Sequence, residues 1–121
     1  MLANIDADSN TTFTNSVKNL GNGFGNSTTT FTGFDTTPSV AGAYYCETSG
    51  SVTTISNFDD GVKGQEIVVV SKIGTIYDVT GTNLKGGTAD LNTTTNDLTK
   101  WVYDGTNWIL ISFTDQSDDL S

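Results

Sequence analysis

The sequence predicts a small all-β domain of about seven short strands, sandwich-like or jelly-roll-like, with a threefold β-helix as the alternative. Three observations carry this. Short β-branched or aromatic runs recur from residue 28 onward, separated by Gly, Asp, Asn and the single proline, Pro38. The 22 Thr, 11 Ser, 11 Asn and 13 Gly make up nearly half of the 121 residues, and these side chains favour strands and turns over helices. Leu, Ala, Glu, Lys and Arg, the usual builders of helices, are scarce.

Residues 1–27 come first and have no strand or helix period. Leu2, Ile5, Phe13, Val17, Leu20 and Phe24 are spread among Asn, Gly, Thr and Ser, so this stretch is expected to be an extended N-terminal arm that orders against a partner or a neighbouring copy. Residues 28–121 form the β domain with its acidic tail. The expected strands are Thr28 to Phe34, Ala43 to Thr48, Val52 to Ser56, Glu66 to Ser71, Thr75 to Val79, Leu98 to Tyr103 and Trp108 to Phe113. The unbroken apolar run Ile67-Val68-Val69-Val70 suggests a central strand covered on both faces. Asp104-Gly105 between Trp101-Val102-Tyr103 and Trp108-Ile109-Leu110 reads as a hairpin. Gly105 supplies the positive φ there and Thr106-Asn107 lengthens the loop. Asp59-Asp60-Gly61 and Lys85-Gly86-Gly87 are further turns.

A repeat overlies this pattern. Thr11-Thr12-Phe13-Thr14-Asn15 recurs as Thr29-Thr30-Phe31-Thr32-Gly33 and as Thr53-Thr54-Ile55-Ser56-Asn57, and the last two extend to Phe34-Asp35 and Phe58-Asp59. One strand-turn unit used several times suits a β-solenoid, although the offsets of 18 and 24 residues are unequal.

Charge narrows the function classes. With 14 Asp and Glu against 5 Lys, no Arg and no His, the formal charge is -9, and charged residues are 16% of the chain where about 25% is usual. An acidic surface without a guanidinium is a poor phosphate binder, so no nucleic-acid partner is expected. The absence of His removes the commonest general base and metal ligand. The single Cys46, in an apolar-rich run, cannot form an intrachain disulfide and is expected to be a buried thiol. No apolar stretch approaches the roughly 18 residues of a membrane-spanning helix, so no membrane partner is expected. The first ten residues lack the basic and apolar regions of a signal peptide, which points to assembly in a cytoplasm.

Three constellations bear on chemistry. Asp6-Ala7-Asp8-Ser9-Asn10 opens with the ligand spacing of a calcium loop, but Thr11 stands where the sharp turn needs Gly and Val17 where a closing Glu belongs. Asp59-Asp60 and Asp118-Asp119 read first as solvated turn and tail residues, so no metal or cofactor is expected. Neither a nucleophile elbow, nor a phosphate loop, nor a Cys-His pair occurs, and the carboxylates sit in turn-like contexts; the chain is not expected to be an enzyme. The aromatics Tyr44, Tyr45, Tyr77, Trp101, Tyr103 and Trp108 fit either a sugar-stacking platform or a core or subunit interface. Phe58, Trp101, Tyr103 and Trp108 are the leading candidates for the core or interface.

Residues 48–112 carry a resemblance. The run Thr53-Thr54-Ile55-Ser56-Asn57-Phe58-Asp59-Asp60-Gly61-Val62-Lys63-Gly64-Gln65-Glu66-Ile67, with Asn83-Leu84-Lys85-Gly86-Gly87 and Trp101-Val102-Tyr103-Asp104-Gly105-Thr106-Asn107-Trp108, resembles a module of tailed-bacteriophage virion structural proteins. That module ends tail fibres, tailspikes and head-attached proteins. Ser71-Lys72-Ile73-Gly74 departs from its usual polar hairpin, and the acidic stretch from Phe113 to Ser121 is added. The resemblance implies a β-rich, oligomeric structural unit without catalytic residues, located in the virion and assembled in the host cytoplasm.

A short chain with an arm in place of a fibre shaft points to a capsid decoration or cement protein. Its expected partners are the major capsid protein, gripped by an arm carrying Leu2, Ile5, Phe13, Leu20 and Phe24, and copies of itself, as a trimer. The alternative is a head- or tail-fibre receptor-binding module whose aromatics contact host glycans.

Overall fold

A computed structural model describes residues 27–116. They form nine strands and, among these residues, no helix: β1 (Thr28–Thr30), β2 (Tyr45–Glu47), β3 (Thr53–Ile55), β4 (Glu66–Val70), β5 (Thr75–Tyr77), β6 (Leu84–Lys85), β7 (Leu91–Thr93), β8 (Leu98–Tyr103) and β9 (Trp108–Thr114). The all-β expectation holds. Each of the seven runs read from the sequence holds a strand; β8 has the expected bounds and β9 ends one residue later than expected, at Thr114. The two additional strands, β6 and β7, are two and three residues long and lack an apolar alternation, so only their neighbours mark them.

The strands lie in two sheets. One has six strands in the order β1-β2-β4-β8-β9-β6 and the other three in the order β3-β5-β7. From β2 to β8 the chain changes sheet at every connection, while β1–β2 and the β8–β9 hairpin each stay within the six-stranded sheet. The first half is a parallel coil: β1, β2 and β4 pair parallel in one sheet, and β3 and β5 pair parallel in the other. Between β1 and β2 the chain follows the path that β3 takes one coil later. Ser56 N donates to Thr36 O (2.9 Å), Asp78 N to Ile55 O (2.9 Å), and Ser39 bridges Asp59 in parallel. Over these coils the chain wraps in a solenoid-like way. The copies beginning at Thr29 and Thr53 nevertheless start in different sheets.

The unequal period has a visible cause. Thr28 aligns with Tyr45, an offset of 17 residues, while Tyr45 aligns with Val68, an offset of 23. The longer coil carries the Phe58 to Gln65 reversal, closed by Gln65 N donating to Val62 O (2.8 Å) and by Val62 N donating to the Gln65 side chain (3.0 Å). The Gln65 amide also donates to Val40 O (2.8 Å) and Ala43 O (2.7 Å), which satisfies two carbonyls of buried residues.

Alternation along the strands fills the core. Ile67 and Val69 of β4 face inward beside Trp101 and Thr99 of β8, and Cys46 of β2 lies beside Val69. The sequence reading of β4 needs one correction: Val68 and Val70 are only partly buried, so β4 is central in its sheet but covered fully on one face alone. On the open face Val68 lies between Tyr45 and Lys100 and Val70 between Glu47 and Leu98, so aromatic and aliphatic parts of these neighbours flank the run. The hairpin is as expected. Gly105 has φ 100, and the Asp104 carboxylate accepts from Thr106 N (2.8 Å) and Asn107 N (2.6 Å). On β9, Leu110 opposes Trp101 and Ser112 opposes Lys100, which leaves Ile111 in a bulge.

Candidate functional site

The three pieces of the sequence resemblance, far apart in the chain, meet around Trp108. Its indole is fully buried and donates from Nε1 to Phe58 O (3.0 Å), and its backbone amide donates to Asn83 O (2.8 Å). Gly61 passes directly over the indole, where a Cβ would stand 2.5 Å from Trp108 Cζ2 and 3.1 Å from Tyr103 Cδ2. Gly64 N donates to Tyr103 O (2.7 Å) and Tyr103 N to Gln65 O (2.9 Å), tying the reversal to β8. Phe58 centres the aromatic packing, edge-on to Trp108 (5.4 Å between centroids) and Trp101 (5.7 Å), and 6.3 Å from Tyr77.

This placement decides between the readings of the aromatics. Phe58, Trp101 and Trp108 are core residues, and Tyr103 is half-buried with its ring 4.8 Å from that of Trp108. The sugar-stacking platform is corrected accordingly: Tyr77, Trp101 and Trp108 present no face to a ligand, and Tyr45 and Tyr103 only part of one. The cost of leaving an indole in water outweighs any gain from an aromatic surface when its neighbours can close over it. Tyr44, 46% exposed, is the one of the six that faces outward. The arm residues Leu2, Ile5, Phe13, Leu20 and Phe24, the calcium-like stretch from Asp6 and the pair Asp118-Asp119 all lie outside the described residues.

Sequence reasoning missed the residues that do point outward. Phe34 is 74% exposed, Val62 68% and Val52 59%, with Ile109, Ile111 and Phe113 exposed along β9. Among the described residues Phe34 is also one of three non-glycine residues with positive φ, at 70°. That region costs an L-residue about 1–2 kcal/mol, most for a bulky one. The conformation is held by the coil beside it. Phe34 N donates to Thr53 Oγ1 (2.9 Å), Thr53 Oγ1 donates to Ser51 O (2.9 Å), and Gly33 lies against the Gly50–Ser51 backbone. In the repeat Phe34 corresponds to Phe58, yet one is at the surface and the other at the centre of the core. The only local signal is Gly33 in place of Asn57.

A polar layer lies in the core beside the aromatic one. Ser71, Thr75, Thr93 and Thr99 are buried; the Ser71 and Thr93 hydroxyls are 2.7 Å apart, Thr93 donates to Thr75 O (2.7 Å), and Trp101 Nε1 donates to Thr99 Oγ1 (2.9 Å). The Tyr77 hydroxyl is buried beside Thr99 and Ser71 without a hydrogen bond of ordinary geometry, and burial pushes its pKa up to about 12. Burial likewise pushes the Cys46 thiol up to about 12, which keeps it protonated at neutral pH. Among the described residues no group of three or more His, Cys, Asp or Glu is placed to hold a metal ion.

Carboxylates act as backbone caps: Asp78, Asp97 and Asp104, and Asp35 on Thr37 N (3.0 Å). Asp97 is buried, which opposes its charge, but the amides of Thr94 (2.8 Å) and Gln116 (2.9 Å) and the Thr94 hydroxyl more than offset this and hold its pKa below the usual range. Asp78 is lowered by the amide and hydroxyl of Thr80, and Asp104 by the amides of Asn107 and Thr106. Groups whose folded pKa lies below the unfolded value stabilise the fold fully above the unfolded pKa of about 3.9, and lose that contribution as pH falls through the folded value. Thermal melts are therefore expected to hold steady from neutrality to about pH 4 and to fall steeply below it. A melting temperature that rises continuously to pH 2 would show that relief of the negative charge outweighs the caps.

The chain matches no protein-family model and no curated protein.

Proposed function

We propose that the chain is a structural component of a tailed-bacteriophage virion, a capsid decoration protein that docks on the assembled shell and stabilises it without chemical turnover. Its partner is the major capsid protein, and the β domain sits in many copies, as trimers, on the shell surface. The resemblance over residues 48–112 supports the class of particle, and the meeting of its pieces at Trp108 gives those residues a structural reason to occur together. The docking role rests on Phe34. A 74%-exposed phenylalanine fixed at φ 70 costs the free domain both solvation and backbone strain, and a docked partner that covers the ring offsets both. Val52, beside the Thr53 that anchors Phe34, adds a second exposed apolar side chain on the neighbouring coil. Contacts made only after assembly must be broken before the shell opens, so modest affinity at each of many sites suffices.

Phe34→Asn tests this. Asn tolerates the left-handed region, so the variant is expected to melt at the wild-type temperature or slightly above, while its co-sedimentation with shells stripped of the protein weakens by about tenfold or more. Wild-type binding by Phe34→Asn would remove Phe34 from the interface. Virions lacking the protein that withstand heat and osmotic shock as well as complete ones would overturn the decoration role itself.

A further inference from the structure

A hydroxyl has one proton to donate and lone pairs with which to accept, and counting those protons orients the polar layer of the core. Thr93 uses its proton on the Thr75 carbonyl (2.7 Å). In its 2.7 Å contact with Ser71 it can then only accept, so Ser71 is the donor there. The Thr99 oxygen accepts from Trp101 Nε1 (2.9 Å), which leaves the Thr99 proton to be placed. The Tyr77 hydroxyl also remains. Its side chain is fully buried, and the hydroxyl lies beside both Thr99 and Ser71.

We propose that the Tyr77 hydroxyl joins these pieces into one directed chain of hydrogen bonds: Trp101 Nε1–H to Thr99, Thr99 O–H to Tyr77, Tyr77 O–H to Ser71, Ser71 O–H to Thr93, and Thr93 O–H to the Thr75 carbonyl. No other orientation satisfies every group. Ser71 has given its proton to Thr93, so Thr99 is the donor to Tyr77, and the Tyr77 proton must then turn to Ser71. Burial makes an unpaired hydroxyl costly, whereas turning neighbouring side chains within their rotamer wells costs little. The chain passes between the two sheets at Thr99–Tyr77, at Tyr77–Ser71 where Ser71 continues β4, and at Ser71–Thr93. It therefore locks their alignment. Apolar contacts survive a small shift by repacking, but sliding β5 by one residue would turn Tyr77 out of the core and leave Thr99 and Ser71 without their partner. Burial also raises the Tyr77 pKa, which keeps the phenol protonated, as a donor must be. This inference concerns the fold of the chain and holds whichever particle, if any, the chain serves.

Tyr77→Phe in the full chain tests it. The variant keeps the ring and removes the oxygen, so Thr99 loses an acceptor and Ser71 a donor. In urea unfolding the equilibrium constant for unfolding is expected to rise about fivefold or more. A hydroxyl with no partner predicts the opposite: its removal would leave the domain equally or more stable, and that result would overturn the proposal. Combined with Ser71→Ala, the two changes should cost less than their separate costs together, because both remove the Tyr77–Ser71 bond; fully independent costs would break that link. A measurement on the unaltered chain stands even if a variant does not fold. At low temperature the Tyr77 hydroxyl proton should exchange with water slowly enough to be seen by NMR, with a nuclear Overhauser contact to the Ser71 β protons. A proton that shows no contact with Ser71, or that exchanges too fast to be seen, would equally sink the assignment.

Discussion

Trp108→Ala is expected to destabilise the domain by about 3–5 kcal/mol, the range for an aromatic-to-alanine truncation in a core. The indole is fully buried, packs against Phe58, Tyr103 and Gly61, and satisfies the carbonyl of Phe58. Its removal opens a cavity where three separate stretches of chain meet, so none can close the space without leaving its own hydrogen bonds. Against a total of about 5–15 kcal/mol for a single domain, such a loss leaves little reserve. Urea unfolding followed by circular dichroism measures it. Trp108→Phe separates the two contributions: it keeps most of the ring and loses the N–H, and should cost about 1–3 kcal/mol through the unpaired Phe58 carbonyl and the smaller volume. If Trp108→Ala costs less than Trp108→Phe, the indole does not hold the three stretches together.

Gly61→Ala should be the most damaging single-methyl change, at about 1–3 kcal/mol or more. The obstacle is space. A Cβ at this position would meet Trp108 Cζ2 at 2.5 Å, and the ring cannot retreat because Phe58 stands on its other contacts and its Nε1 is bonded to Phe58 O. Elsewhere in the turns a Cβ would face open space, as at Gly42 and Gly81. The double variant Gly61→Ala/Trp108→Phe tests the cause: the smaller ring should absorb the methyl, so the two changes together cost less than the sum of the single ones. Strict additivity in denaturant midpoints would place the strain somewhere other than against the indole.

Exposed apolar groups and backbone strain fall together at Phe34, and this bears on the proposed docking. The ion pair between Lys100 and Glu66 (3.4 Å) is exposed on both sides and contributes little. The Asp caps hold loops and set the acid limit of the fold. Surface charge thus supports solubility and loop geometry, while any specific grip on a partner falls to apolar side chains such as Phe34.

The β class, the seven main strands, the Asp104–Asn107 turn and the buried Cys46 were legible in the order of residues, because each depends on local preference: β-branched runs, Gly with positive φ, a thiol among apolar neighbours. Three features were not legible. The strands β6 and β7 are too short to carry a period and exist only because β9 and β5 offer them partners. Phe34 and Phe58 occupy the same place in the repeat, but one lies on a coil with a neighbour to hold it outward and the other lies where both sheets converge. Trp101 and Trp108 could have faced a ligand or a core on period alone, and only the closing of Phe58, Gly61 and Tyr77 around them decided for the core. Local sequence sets what a segment can become; which face is covered depends on segments tens of residues away, and burial, which dominates the energy, is settled only when they meet.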